Sequence, residues 1–142
     1  MISSGPAEDR LAIRELVESY NDAVMRFDGD AWAANWTDDA VWSLPGMGEV
    51  KGKAAFFPMW KQMMGGFSFV GFFASAGPIV VTADTAHATW YQQEFLHQKD
   101  GVKRAITGHF MAAAVDVEDQ VVAHARSRVT YHAQARRATL PF

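Results

Sequence analysis

Two long β-favouring stretches, residues 86–98 and 102–117, meet at Asp100-Gly101, and this pairing narrows the possible folds more than any other feature of the chain. Asp-Gly between alternating apolar residues signals an antiparallel hairpin, because glycine adopts the positive φ that a tight turn demands. A second tight turn at Glu118-Asp119, between Val117 and Gln120, continues the meander into a last strand reaching His132. Upstream, residues 67–81 are rich in Phe and Val, and Gly71 and Gly77-Pro78 mark a bend or bulge. The second half of the chain therefore reads as a sheet of long antiparallel strands.

The first half reads as helices. Ile13, Leu16, Val17, Tyr20, Val24 and Phe27 recur at the spacing of one helical face, which predicts a helix over 6–27. Ser3 or Ser4 is expected to cap it, with Pro6 tolerated in the first turn and Gly29 closing the helix. Asp30 then caps a short second helix over 31–36, which stops before Thr37-Asp38-Asp39. Residues 40–44 and 47–50 are short strands about a Pro45-Gly46 turn. Residues 53–64 form a Met- and aromatic-rich helix closed by Gly65-Gly66, with Pro58 implying a kink or a start nearer Phe57. Three helices followed by meandering strands make an α+β fold, with the helices on one side of a curved sheet. At 142 residues, 49% of them hydrophobic, the chain is expected to be a single domain over 1–142 with a real core. Aromatic residues cluster between Trp32 and Phe95, which favours a large core or a small aromatic-walled pocket.

Several functional classes fall away. The net charge is -3 and no basic stripe carries interleaved aromatics, so nucleic acid is not an expected partner. No apolar run approaches the roughly 20 residues of a membrane span. The opening MISSGPAEDR lacks the apolar core of a secretory leader, and the absence of cysteine fits a reducing compartment, so a cytoplasmic location is expected. His87, His97, His109, His124 and His132 lack the paired spacing of metal ligands, so neither a metal nor a cofactor is expected. No phosphate-binding glycine loop or nucleophile elbow is present.

The remaining candidates are set by strand register. If Lys99 pairs with Val102, then Gln92 lies opposite His109, Trp90 opposite Met111 and Glu94 opposite Thr107. Ala88, Trp90, Gln92 and Glu94 then share a largely apolar face with His109, Met111 and Ala113. If Val117 pairs with Gln120, Arg126 comes opposite Met111 and Arg128 opposite His109, an assignment that a single bulge would reverse. Asp28, at the C-terminal end of the first helix, is disfavoured there by the helix dipole. Its presence needs another reason, such as capping the next helix or pairing with a cation.

Tyr20, Asp28 eight residues later, the run Trp36-Thr37-Asp38-Asp39-Ala40-Val41-Trp42 and the following glycine-spaced stretch resemble the nuclear transport factor 2-like superfamily, within it the SnoaL-like branch. That branch includes scytalone dehydratase, a hexachlorocyclohexane dehydrochlorinase, bile-acid dehydratases and polyketide cyclases. The resemblance covers nearly the whole chain. It implies a cone in which three N-terminal helices and a curved antiparallel sheet enclose a pocket for a hydrophobic ring compound. It also implies assembly as a homo-oligomer, a dimer or trimer, through the outer sheet face. In the catalytic members an Asp ending the first helix pairs with a sheet His to abstract a proton before elimination. Asp28 matches that Asp, His109 is similar to a His in a Gly-His pair, and Tyr20 matches a pocket tyrosine. The pattern departs at Phe72, which stands where the dehydratase and the dehydrochlorinase carry a His. Leu44 falls near a second pocket tyrosine, Ala23 near the dehydrochlorinase lysine, and Arg126 near its arginine.

Asp28 and His109 read as a general base with Tyr20 polarising a substrate oxygen, or as a helix cap beside an interior histidine and a core tyrosine. Trp42, Phe72, Trp90, Gln92, Met111 and Arg126 read as pocket wall, with an outward ion pair the favoured alternative for Arg126. The expected function is a cofactor-independent lyase, dehydratase-like, or an isomerase of a small hydrophobic cyclic molecule. The other reading is a non-catalytic binding module of the same fold.

Overall fold

A computed structural model describes residues 2–44, 47–83, 85–117, 120–124 and 130–133, with side chains up to residue 108. The N-terminal half supplies α1 (Ala7–Met25), α2 (Gly29–Ala34), a hairpin of β1 (Val41–Leu44) and β2 (Gly48–Lys51), and α3 (Lys53–Met64). The rest forms a separate antiparallel sheet of β3 (Phe67–Thr82), β4 (Thr85–Gln98), β5 (Lys103–Val117), β6 (Gln120–His124) and β7 (Thr130–Ala133). The order is β3-β4-β5-β6, and β7 pairs with β5 over Ile106 to His109. The architecture is the expected α+β cone.

Local chemistry explains where the helix ends fall. Ser3 and Ser4 do not cap α1. Ser4 bridges the edge of β3, its N–H donating to Ile79 O (2.9 Å) and its carbonyl accepting from Val81 N (3.0 Å), while Ser3 Oγ accepts from Ile79 N. Pro6 takes the cap position instead. Beyond the last helical residue, Met25, Phe27 turns the chain away from α1 in the left-handed region (φ 57), and Phe27 N–H and Asp28 N–H reach back to Val24 O and Ala23 O. Gly29 consequently opens α2 instead of closing α1.

The third helix spans Lys53–Met64 as expected and runs through Pro58, so the alternative start nearer Phe57 is not taken. Two backbone bonds hold that start, Gly52 N to Ala40 O (2.8 Å) and Lys53 N to Asp38 O (2.9 Å). Lys53 Nζ adds a bond to Trp36 O (2.9 Å) and an ion pair with Asp38 (3.0 Å). Five residues of helix are thus in place before the lost N–H of Pro58 matters.

On β3 the register slips between Ala76 and Ile79, across Gly77-Pro78, where a bend or bulge was expected. The β4–β5 hairpin pairs one residue away from its expected register. Gln98 N donates to Val102 O (2.8 Å) and Gly101 N to Gln98 O (3.0 Å), and Gly101 sits at φ 90. The loop therefore holds three residues, a turn followed by a left-handed glycine, where a two-residue loop was expected. Gln92 pairs with Gly108, Trp90 with Phe110 and Glu94 with Ile106, and His109 pairs with Tyr91. The Val117–Gln120 turn pairs as expected and its register holds to His124. Beyond it, the residue opposite His109 is Thr130, not Arg128.

Candidate functional site

Alternation along β4 separates two rows. Ala88, Trp90 and Gln92 are buried and Glu94 is half-buried, whereas His87, Gln93 and Phe95 are exposed, as is Tyr91 (53%). The buried row faces the helices. Asn21 fixes α1 over it, its Nδ2 donating to Ala74 O (2.8 Å) and its Oδ1 accepting from Ala74 N (3.2 Å). Arg14 Nη1 adds a bond to Ala76 O (3.1 Å). This anchoring sets the ring of Tyr20 5.4 Å from Phe72 and 6.1 Å from each of Trp32, Trp36 and Trp90, centroid to centroid.

Beyond Trp90 the inward row of β4 continues into a polar pair. Gln92 is 8% exposed, and its Nε2 donates to Glu94 Oε1. In register, Glu94 lies between Phe72 on β3 and Ile106 on β5, and Gln92 between Ala74 and Gly108. Burial among these residues pushes the Glu94 carboxyl up from its ordinary 4.5 to about 7. The amide donor favours the ionised form, so loss of solvent is the stronger effect here. A carboxyl poised there can give or take a proton at neutral pH.

Of the residues nominated by the sequence, Tyr20, Phe72 and Trp90 come together, and Gln92 shares the inward row of Trp90 on β4. Trp42 stands one ring further out, against Trp32 (5.7 Å) and Phe56 (5.9 Å). Asp28, and not Asp30, caps α2: its Oδ1 accepts from Ala31 N at 3.0 Å, and its Oδ2 lies 3.7 Å from Arg26 Nη2. The side chains of His109 and Met111, and the whole of Arg126, lie outside the described residues. His109 was expected in the row of Gln92, but its backbone partner is Tyr91.

Three residues of the site were not nominated. Trp32 and Trp36 pack on Tyr20, and each buries an indole N–H with no hydrogen-bond partner among the described residues. Glu94 had a readable signal: it alternates with Trp90 and Gln92, and a carboxylate on an inward row is costly unless it has a use. Among the described residues, no three His, Asp or Glu gather as a metal site would require, and no helix is long and apolar enough to cross a membrane.

Residues 6–126 match the family described as the SnoaL-like domain. Among solved structures, a hexachlorocyclohexane dehydrochlorinase of type 2 superposes with a TM-score of 0.77 at 15% identity, covering 94% of both chains. A proposed scytalone dehydratase from Novosphingobium aromaticivorans gives 0.78 at 18% identity, covering 92% of this chain and 90% of its own. A proposed aromatic ring hydroxylase from the same organism gives 0.75 at 27% identity, over 92% and 96%. A comparison with curated proteins finds no match to the sequence.

Proposed function

Because the chain belongs to the SnoaL-like domain family, we propose that it is a cofactor-independent lyase, dehydratase-like, or an isomerase, acting on a small hydrophobic cyclic molecule. The observation that carries this reading is the part-buried Gln92–Glu94 pair on the inward row of β4, next to Trp90 in that row and opposite Phe72 in register, with Tyr20 packed on both rings. Apolar walls with a few placed polar groups are the general form of a small-molecule site. The names of two structural relatives, a dehydrochlorinase and a dehydratase, supply elimination as the reaction class to test first.

In this proposal Tyr20 polarises a substrate oxygen, and Trp42, Phe72, Trp90 and Gln92 wall the pocket. An Asp28–His109 pair is the proton carrier that the sequence nominates, and it competes with the cap bond of Asp28 and the pairing of His109 with exposed Tyr91. Asp28→Asn tests that pair, because asparagine caps a helix as well as aspartate does. Turnover lost with folding nearly intact assigns the carboxylate a chemical role, and unchanged turnover removes the pair.

A second reading, a non-catalytic binding module, is favoured by Phe72 in the place of a proton-moving residue and by the engagement of Asp28 as a cap. The pH profile separates the two. A lyase or isomerase shows an ionisation in its rate, whereas apolar binding is nearly flat with pH. A dimer or trimer is proposed to form through the outer sheet face, where Phe69, Phe73, Tyr91 and Phe95 are exposed. Sedimentation velocity tests it, and a monomer at micromolar concentration rejects it.

A further inference from the structure

We infer that Glu94 is a catalytic residue of the proposed site, transferring a proton to and from a small, uncharged cyclic carbonyl compound. The inference rests on the lyase or isomerase reading and adds to it the group that moves the proton and the class of substrate it needs.

The argument is geometric first. Glu94 occupies the same inward row as Trp90 and Gln92, paired with Phe72 on one side and Ile106 on the other. Its described hydrogen bond comes from the uncharged amide of Gln92. Leu96 follows it on β4, and Tyr20 approaches from α1 through Phe72 and Trp90. The nearest basic positions by register are Arg104, exposed and paired with Leu96, and His109, paired with Tyr91. On β7, Ala133 lies beside Ile106, Tyr131 beside Gly108 and His132 beside Thr107. Among the described residues no ion pair holds this carboxyl, so its charge gains the fold little there, and hydrophobic residues would fill the row more cheaply. Its burial raises its proton affinity into the range where one group serves as base and then as acid.

The chemistry balances without a cofactor. The Glu94 carboxylate takes a proton from the carbon beside the carbonyl; the C–H electron pair becomes a C=C bond, and the carbonyl π pair moves onto oxygen. The Glu94 carboxyl then returns that proton. Delivered to a conjugated carbon, it completes an isomerisation. Delivered to the oxygen of a β-hydroxyl as its C–O bond breaks, it releases water while the carbonyl reforms. Either route leaves Glu94 ionised for the next cycle. A carbonyl is required because an unactivated C–H is far too weak an acid for a carboxylate.

The experiment uses α-tetralone as probe. Proton NMR in heavy water follows deuterium exchange at the carbon beside its carbonyl, and tryptophan fluorescence follows its binding. The wild type should exchange the probe with a rate rising with pH through an inflection near 7. Glu94→Gln should bind the probe as tightly, but exchange it at least about 100-fold more slowly. Glu94→Asp should restore part of the rate with a displaced inflection. Carbon-labelled glutamate in the wild type gives a second readout, one carboxyl titrating near 7 whose midpoint moves when tetralone binds. Exchange by Glu94→Gln at the wild-type rate, or no such titration, overturns the assignment of Glu94 alone. Binding without exchange in the wild type also overturns it and leaves the binding-module reading standing. Neither binding nor exchange overturns the proposed site itself.

Discussion

At the scale of single residues, Asp28 shows a carboxylate whose place is dictated by the helix after it. Read as the end of α1 it sits badly against the macrodipole, but as the cap of α2 it meets unpaired N–H groups and the favourable dipole end. Its bond to Ala31 N supports the short helix that carries the fully buried Trp32. Asp28→Ala should therefore cost about 1 kcal/mol in urea unfolding, and Asp28→Asn only a few tenths. An asparagine variant that loses as much as the alanine variant would show that charge, and not capping, holds this corner. Glu94 is the opposite case, a carboxylate whose described surroundings give it little structural reward, which is what directs attention to its chemistry.

At the scale of elements, the placing of Tyr20 depends on the contact between α1 and β3. Asn21 both donates to and accepts from the backbone of Ala74, 53 residues away, at the edge of the sheet. Asn21→Ala leaves a part-buried N–H and carbonyl of Ala74 without their partner, so it should lower stability by about 1–3 kcal/mol. Ligand binding should weaken with it, because the Tyr20 ring loses its anchor. A thermal melt and the tetralone fluorescence titration check both. The elements were legible because each rests on local pattern: the apolar stripe of α1, the alternation of β4, the glycines at the turns. Register was not, because Asp100-Gly101 fits a loop of two residues or of three. That one-residue difference moved His109 from opposite Gln92 to opposite Tyr91. Gly101, at φ 90, holds the longer loop. Gly101→Ala should destabilise by about 1–2 kcal/mol, the usual penalty for a side chain in the left-handed region. No change in the denaturation midpoint would mean the loop has relaxed to another turn. The candidate site was legible to the same extent, its aromatic wall from pattern, its acidic group only once the inward row was known.

At the scale of the whole molecule, a titrating group inside the fold ties global stability to pH, and the sign follows from the direction of the Glu94 shift. Its carboxyl is raised from 4.5 to about 7 in the native state by burial. Between those values the native protein holds a proton that the unfolded chain has released, so the native state binds more protons and stability falls as pH rises. The contribution is fully present below pH 4.5 and is lost once the pH has passed about 7, to a total of at most about 3 kcal/mol. Glutamine has the shape of the protonated acid and never ionises. Glu94→Gln and the wild type should therefore have similar stabilities near pH 4.5, and the variant should be the more stable of the two at pH 8. Urea unfolding of both proteins at half-unit steps from pH 4.5 to 8 measures this directly. Parallel curves across the window would show that Glu94 ionises as freely in the folded protein as in the unfolded chain. Diverging curves, with the variant stabilised and slower at proton exchange, would show a fold that gives up stability at neutral pH to keep an ionisable carboxyl against its aromatic wall. That is the trade expected when a residue is held for chemistry instead of packing.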